Sequence, residues 1–379
     1  MSANASASLF PALPRHIKGR GAELTTLART VLATKPTRLA LVGAGGSGKS
    51  LLAAALAHRL ARRFAGGIHW FRVGAWDFRT LTEMLALRFG TSRERHALVP
   101  GIRAYLARGG ERLIVLDNHE DDQAMARFLD ALSGTPATFI ITARRCLLAG
   151  VLIYPVTAPL ITSGKSAFPR VAVLTRELRW NPLALDIADA IVASRAASVA
   201  ELALFLEAHG IGTVRVIEHE DDLPEVALLV AWAWKRLPPH ARRMLGVLSH
   251  VEGDTVDVDS LARLARIRSR SDVDQAIASL ETWHLVQEPM ARRFTVHAVV
   301  RHAVRRRTTL APEATFEHYM ALLEAHPERL MMEQTHLFAA MDHAHRISDL
   351  SAMLRIERLL QRLDEEALAA LSPPAEASR

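Results

Sequence analysis

The chain has 379 residues, half of them hydrophobic, enough to bury about two to four cores. Its single cysteine, Cys146, excludes an intramolecular disulfide framework and suits a reducing compartment such as the cytoplasm. The formal charge of +7 and pI near 10.1 come largely from arginine, which permits contact with nucleic acid or an acidic partner without requiring it.

Residues 1–14 begin small and polar (MSANASASLF) and predict a disordered leader, since they lack the basic start and apolar core of a signal peptide. The richest apolar stretch, Val226 to Trp234, is far shorter than the roughly 20 residues a membrane-spanning helix needs. Pro14 to Leu24 reads PRHIKGRGAEL and is followed by a helix to about Ala33. Leu39 to Val42 is then a buried strand, and Leu51 onward (LLAAALAHRL) a helix. Between them lies Gly43-x4-Gly48-Lys49-Ser50, a complete Walker A loop in the strand–loop–helix context that gives the pattern meaning. Backbone N–H groups of Gly43, Gly45, Gly46, Ser47, Gly48 and Leu51 are expected to curl around phosphate at a helix N-terminus. Lys49 should reach the β- and γ-phosphates, and the Ser50 hydroxyl should ligate Mg²⁺.

Further on, Ile68 to Val73 predicts a strand, with helices at about 79–89, 95–108 and 121–132. Leu113 to Asn118 (LIVLDN) has the Walker B form, an apolar strand ending in Asp117, whose carboxylate would organise Mg²⁺. Thr138 to Thr142 and Val151 to Val156 are two more strands. Strands alternating with helices at this rhythm predict a doubly wound α/β domain with a parallel sheet. Arg144, at the end of TFIITARR, either senses the γ-phosphate or belongs to a solvated basic turn. Asn118 stands where a second carboxylate would act as base; Glu120, Asp121 and Asp122 nearby equally suit the acidic first turn of a helix.

Residues 166–210 predict helices with a break at WNPLAL (180–185), where Pro182 fits the first turn of a helix from Leu183 to Ser194, and a further helix spans Ser198 to Ala208. A polar, acidic connection at 211–223 precedes helices at 224–236, 240–249, about 258–267 and about 272–282. Trp283–Gln287 and Arg293–Val296 can pair as the wing of a winged-helix domain, and His297 opens a helix through Arg307. Arg301, Arg305, Arg306 and Arg307 read as a solvated helix face, with DNA contact as the second reading. Pro312–Leu323, Pro327–His345, Asp349–Leu363 and a short last segment complete the helices.

IKGRGAEL (17–24), VGAGGSGKS (42–50), LIVLDN (113–118), IITARR (140–145), WNPLAL (180–185), WKRLPPHARRML (234–245) and FTVHAVVRHAV (294–304), in this order, resemble the STAND class of signal-transducing P-loop NTPases. The resemblance is to the NB-ARC type of bacterial regulators, plant resistance proteins and the apoptosome scaffold, and covers roughly 14–310. It implies a leader (1–14), a P-loop nucleotide-binding domain (15–160), a helical domain (161–212), a winged-helix domain (213–310) and a C-terminal helical segment similar to tetratricopeptide repeats (311–379). It also implies roles for particular residues. Gly19 and Arg20 match the segment over adenine and ribose, and Arg144 the arginine of the T-x-R motif near the γ-phosphate, with Ala143 in place of the usual hydroxyl residue. Pro182 matches the proline of the G-x-P motif against the base. His297 matches the histidine of the M-H-D motif, which holds the β-phosphate of ADP; Val296 and Ala298 replace its Met and Asp.

The function expected is an ATP/ADP-controlled switch with slow hydrolysis that oligomerises and activates a protein partner supplying effector or sensor. The alternative is a DNA-associated AAA+-like ATPase that contacts duplex through the winged helix. A P-loop small-molecule kinase is disfavoured, because about half the chain lies beyond any compact kinase core.

Overall fold

The computed structural model describes residues 20–33, 37–92, 94–157, 168–209, 223–251 and 255–371. Five strands, β1 (Arg38–Val42), β2 (Ile68–Arg72), β3 (Leu113–His119), β4 (Thr138–Ala143) and β5 (Leu152–Pro155), form one parallel sheet in the order β2-β3-β4-β1-β5. Side chains alternate between its faces. Leu39, Leu41, Trp70, Val115 and Ile140 pack with α1 (Gly21–Ala33) and α2 (Lys49–Leu60). Ala40, Phe71, Leu116, Phe139 and Ile141 pack with α3 (Phe78–Phe89), α4 (Leu98–Ala107) and α5 (Asp122–Ala131). Burial on both faces is why these strands read as unbroken apolar runs. The doubly wound parallel sheet expected from the sequence is therefore present.

The strand order carries the site. From β1 the chain crosses to the far edge at β2, returns through β3 to β4 beside β1, and then places β5 on β1's other side. The carboxyl end of β1 thus lies where the order reverses, the position at which open α/β sheets bind ligands.

Residues 168–305 form a second, mainly helical body. A 3₁₀ segment (Pro169–Leu174) precedes α6 (Pro182–Ala193), α7 (Val199–His209), α8 (Pro224–Arg236), α9 (Pro239–His250), α10 (Val258–Leu264), α11 (Arg270–Thr282) and α12 (Ala298–Arg305). A three-stranded antiparallel sheet, β6 (Val256–Asp257), β8 (Arg293–Thr295) and β7 (Gln287–Met290), completes it. One apolar core, with Trp232 fully buried in it, runs from Phe168 to Val304 and takes in Tyr319 from the helices that follow. The expected boundaries at 160/161 and 212/213 lie outside the described residues. The hairpin expected from Trp283 starts at Gln287 instead. Trp283 closes α11, His284 turns the chain at φ 53°, and the Leu285 N–H donates back to the Leu280 carbonyl at 3.0 Å.

Three helices follow: α13 (Pro312–Ala325), α14 (Leu330–Arg346) and α15 (Leu350–Leu371). The short last helix expected after Leu363 is a continuation of α15, because no proline or glycine interrupts it. Phe316, Met320, Leu337 and Ile356 share a core with Met84 and Leu87 of α3, so these helices also lean on the α/β body. On their other side Arg293 of β8 forms two 2.7 Å bonds to the two oxygens of Glu333, which is fully buried. Arg329 adds bonds to Glu333 at 2.9 Å and Asp257 at 3.1 Å. His336 stacks on Tyr319 at 3.9 Å and bonds the Thr255 carbonyl at 2.8 Å.

Burial pushes His336 down to about 4, although Glu333 opposes the shift and Arg293 adds to it. The native ring is therefore neutral, while the unfolded chain takes up a proton below the ordinary 6.5. Its contribution to stability is complete above that value and is lost as pH falls towards 4. Thermal melting of the wild type should decline over this window, and the decline should be shallower in His336→Asn even where that variant is less stable at neutral pH. Parallel declines would dissociate acid sensitivity from His336.

Candidate functional site

From Val42 the chain turns through Gly43–Gly48 into α2. Glycine is required at Gly43 by close approach: a Cβ there would lie 2.3 Å from the Val156 carbonyl beyond β5. At Gly46 the backbone has φ 74°, and a Cβ would meet the Asn181 Oδ1 at 2.9 Å. No side chain caps α2. The first-turn N–H groups of a helix have no intrahelical partners, and with the positive end of the dipole they make an anion cradle. Lys49 Nζ donates to the Gly43 and Ala44 carbonyls, both at 2.8 Å, and so lies across the first half of the loop.

Asp117 is buried at the carboxyl edge of β3, where a register shift and the left-handed Asn118 (φ 59°) break the ladder with β4. Its Oδ1 accepts from the Ser50 hydroxyl and from the Thr142 hydroxyl, each at 2.6 Å. Thr142 in turn accepts from the Asn118 N–H at 2.9 Å. Neighbouring oxygens on an octahedral Mg²⁺ with about 2.0–2.1 Å bonds lie about 3 Å apart. Ser50 and Asp117 therefore fit such an ion with little movement. The nearby acids divide by role. Asp121 caps α5 through Gln123 and Ala124 N–H groups, and Asp122 accepts from the Leu147 N–H at 2.8 Å and pairs with His119 at 2.7 Å. Glu120 is exposed and accepts from the Asn118 amide at 2.8 Å.

The other sequence-predicted residues gather around the same loop. Arg144 follows Ala143, whose carbonyl accepts the Gly43 N–H at 3.3 Å, and is half-buried. Gly19 lies outside the described residues. Arg20 is buried; its guanidinium bonds the Ser47 carbonyl, the Thr157 carbonyl at 2.9 Å and Glu23 at 2.6 Å, so it anchors the loop to the chain beyond β5. Pro182 is the first residue of α6. His297 caps α12, its Nδ1 accepting from the Val299 N–H at 3.2 Å, which puts the neutral ring's proton on Nε2. A Cβ on Gly45 would meet Val299 at 3.3 Å and Leu223, the residue before α8, at 3.6 Å. The N-terminal ends of α6, α8 and α12 thus converge with that of α2 on one loop.

Sequence reasoning assigned no role to Thr142, Asn181 or Glu225. Asn181 caps α6 through the Leu183 and Ala184 N–H groups at 3.0 and 3.1 Å. Its amide Nδ2 reaches the Gly45 carbonyl at 3.5 Å and Glu225 of α8 at 3.3 Å. Thr142 carried a signal, as the polar residue near the end of an apolar strand beside the Walker B strand. Asn181 carried one too, an N-cap residue before a helix-starting proline. The chain reaches Asn181 through Arg179 and Trp180 at φ 50° and 56°. Consecutive left-handed non-glycine residues cost on the order of 1–3 kcal/mol each. The backbone therefore holds a shape that the Trp180 side chain disfavours. The arginine run also differs from a solvated face: Arg301 bonds the Val251 carbonyl, and Arg305 the Ser249 carbonyl at 2.5 Å, closing the C-terminal end of α9.

No protein-family model matches this chain, and no curated protein sequence matches it. Among solved structures it is similar to a signal transduction ATPase with numerous domains (STAND) protein with a tetratricopeptide repeat sensor from Pyrococcus horikoshii. That match has TM-score 0.57 and 18% identity, covering 93% of this chain and 54% of that one. The Orc1 protein of Aeropyrum pernix, solved with DNA, matches at TM-score 0.37 and 18% identity over 78% of this chain and 94% of that one. Thermotoga maritima RuvB matches at TM-score 0.29 and 13% identity over 74% and 92%. The first likeness shows a shared P-loop ATPase fold, of which this chain spans about half the neighbour's length; the other two are too loose to carry an argument.

Thr142→Val keeps the shape of the side chain but removes a donor to the buried Asp117 and the acceptor of the half-buried Asn118 N–H. It should cost about 1–3 kcal/mol of stability in denaturant unfolding. An unchanged midpoint would show that the hydroxyl does not hold Asp117 and Asn118 together.

Proposed function

We propose that this chain is a nucleotide-controlled switch of the STAND class, NB-ARC type, built from a P-loop domain, a helical domain, a winged-helix domain and a C-terminal helical segment. The observation that carries the reading is the convergence of three separate elements on Gly45 and Gly46: Asn181 bonds the Gly45 carbonyl, and Leu223 and Val299 lie over Gly45 where a side chain would meet them. A phosphate loop that also serves as a docking surface makes nucleotide state and domain position interdependent. The antiparallel sheet β6-β8-β7 beside α9–α12 supports the winged-helix reading.

The residues present suit a nucleoside di- or triphosphate with Mg²⁺. Backbone N–H groups from Gly46 to Leu51 would hold the phosphates, Lys49 would swing from the Gly43 and Ala44 carbonyls to the β- and γ-oxygens, and Ser50 with Asp117 would hold Mg²⁺. Mg²⁺ would neutralise charge on the phosphate oxygens. Arg144 extends from the strand edge beside Gly43 and would read the γ-phosphate, while Pro182 would lie against the base. His297, with its proton on Nε2, would donate to the β-phosphate of ADP from the α12 end. In this reading ADP binds the bodies together, and ATP lets them part, oligomerise and engage a protein partner. Hydrolysis would be slow, since Asn118 cannot take a proton, Asp121 and Asp122 are committed to backbone N–H groups, and Glu120 is exposed and held by the Asn118 amide. The pinning of Arg301 and Arg305 to α9 counts against the DNA-bound alternative.

Lys49→Ala should abolish tight binding of both nucleotides in calorimetric titration, because it removes the cation facing the β- and γ-phosphates. Binding at wild-type affinity would remove the basis of the reading. His297→Ala should weaken ADP binding by about one to two decades, the worth of a charge-assisted hydrogen bond of about 1.5–3 kcal/mol, and ATP binding much less. Paired titrations with light scattering test this: an equal loss for both nucleotides, with no added oligomerisation, would leave His297 only its capping role.

A further inference from the structure

Glu225 lies in the first turn of α8, and only 3% of it is exposed. Its Oε1 is 3.3 Å from the Asn181 amide. Its Oε2, equally buried, has no hydrogen-bond partner among the described residues. The same Asn181 nitrogen reaches the Gly45 carbonyl, so one amide group separates this carboxylate from the phosphate loop. Buried carboxylates are costly unless they are paired and hydrogen-bonded. The positive end of α8, which no side chain caps, offsets part of that cost.

The side of the loop involved decides what Glu225 meets. Lys49 lies over the Gly43 and Ala44 carbonyls, and the lysine of a Walker A loop serves the β- and γ-phosphates. Gly45, where Asn181 and Leu223 touch, follows directly. In the switch reading the γ-phosphate would lie on this side of the loop, so the buried carboxylate would stand behind it, where water screens charge poorly.

Resting on the switch reading above, we infer that Glu225 is the residue by which the docked arrangement discriminates a nucleoside diphosphate from a triphosphate. With a diphosphate the carboxylate faces, among the described residues, Asn181 and the helix end. A third phosphate brings further negative charge to the same side of the loop, and repulsion then favours withdrawal of α8 and the body it belongs to. Asn181 acts as a positioning residue, since its amide sets the separation of Glu225 from the loop. Linkage makes the effect reciprocal: a carboxylate that triphosphate expels must itself weaken triphosphate binding.

The test uses the full chain in paired calorimetric titrations with ADP and a non-hydrolysable ATP analogue, both with Mg²⁺. Glu225→Gln keeps shape and hydrogen-bonding capacity and removes the charge. It should tighten binding of the ATP analogue by about tenfold, equivalent to about 1.4 kcal/mol, and leave ADP within about twofold. That is inside the roughly 5–150-fold usual for coupled sites. Glu225→Asp keeps the charge and should retain the wild-type preference. Melting of Glu225→Gln should be at or above the wild-type temperature, because a half-paired buried charge has been removed; a clear drop would count against the inference. Equal shifts for both nucleotides, no shift, or Glu225→Asp behaving like Glu225→Gln would overturn it while leaving the switch reading intact. A wild-type chain that binds neither nucleotide would overturn both.

Discussion

Packing other helices directly against the backbone of Gly45 and Gly46 requires a phosphate loop almost without side chains, and much of this molecule is arranged around that requirement. The inner surface of the loop presents N–H groups at the start of α2, while its outer surface receives Asn181, Leu223 and Val299. Neither surface tolerates a side chain: a Cβ on Gly43 would strike Val156, and one on Gly46 would strike Asn181. So bare a loop has few contacts of its own to hold its shape. Arg20 supplies them from outside, through the Ser47 and Thr157 carbonyls, and the Ala143 carbonyl supplies another through Gly43. The result is a segment anchored from outside, over whose glycines the neighbouring side chains lie with no side chain of the loop between them.

The electrostatics follow the same logic. Four helix N-termini, each carrying about half a positive charge, meet at the phosphate loop. Asn181 and His297 cap two of them, and α2 and α8 have no side-chain cap. Two buried carboxylates balance this positive end, and they differ in kind. Asp117 accepts from two hydroxyls on one oxygen and sits where a cation would neutralise it. Among the described residues Glu225 is bonded by a single amide. A polyphosphate entering this field would find one of the two carboxylates compensated by Mg²⁺ and the other left to oppose it.

Most of the α/β body was legible in the sequence, because a strand buried on both faces is an unbroken apolar run and a Walker A loop is written in residues with few other uses. Asp117 was legible for the same reason. The supports of these residues were not. Thr142 belongs to the Asp117 site only once β3 and β4 are known to be neighbours, a fact of topology rather than of local pattern. Asn181, Leu223 and Val299 meet at Gly45 and Gly46 from widely separated segments, and Glu225 is invisible until α8 is placed. The arginines after His297 read as a basic surface because a sequence shows charge but not the carbonyls left over at the end of α9. The turn at His284 hid the true start of β7, since Trp283 and Leu285 have strand-like side chains but serve to end α11.

The core shared by α3 and the C-terminal helices has a consequence for how the chain is made. Met84 and Leu87 of α3 are buried in a core made mainly by residues from Phe316 onward. Roughly 230 residues separate the two, which at about 5–20 residues per second of synthesis leaves this part of α3 waiting on the order of 10–50 s for its cover. During that interval the α/β body is folded around its sheet yet sticky on one helix. Helices made well after the α/β body are thus what covers this surface, so a nascent chain paused before they emerge exposes it.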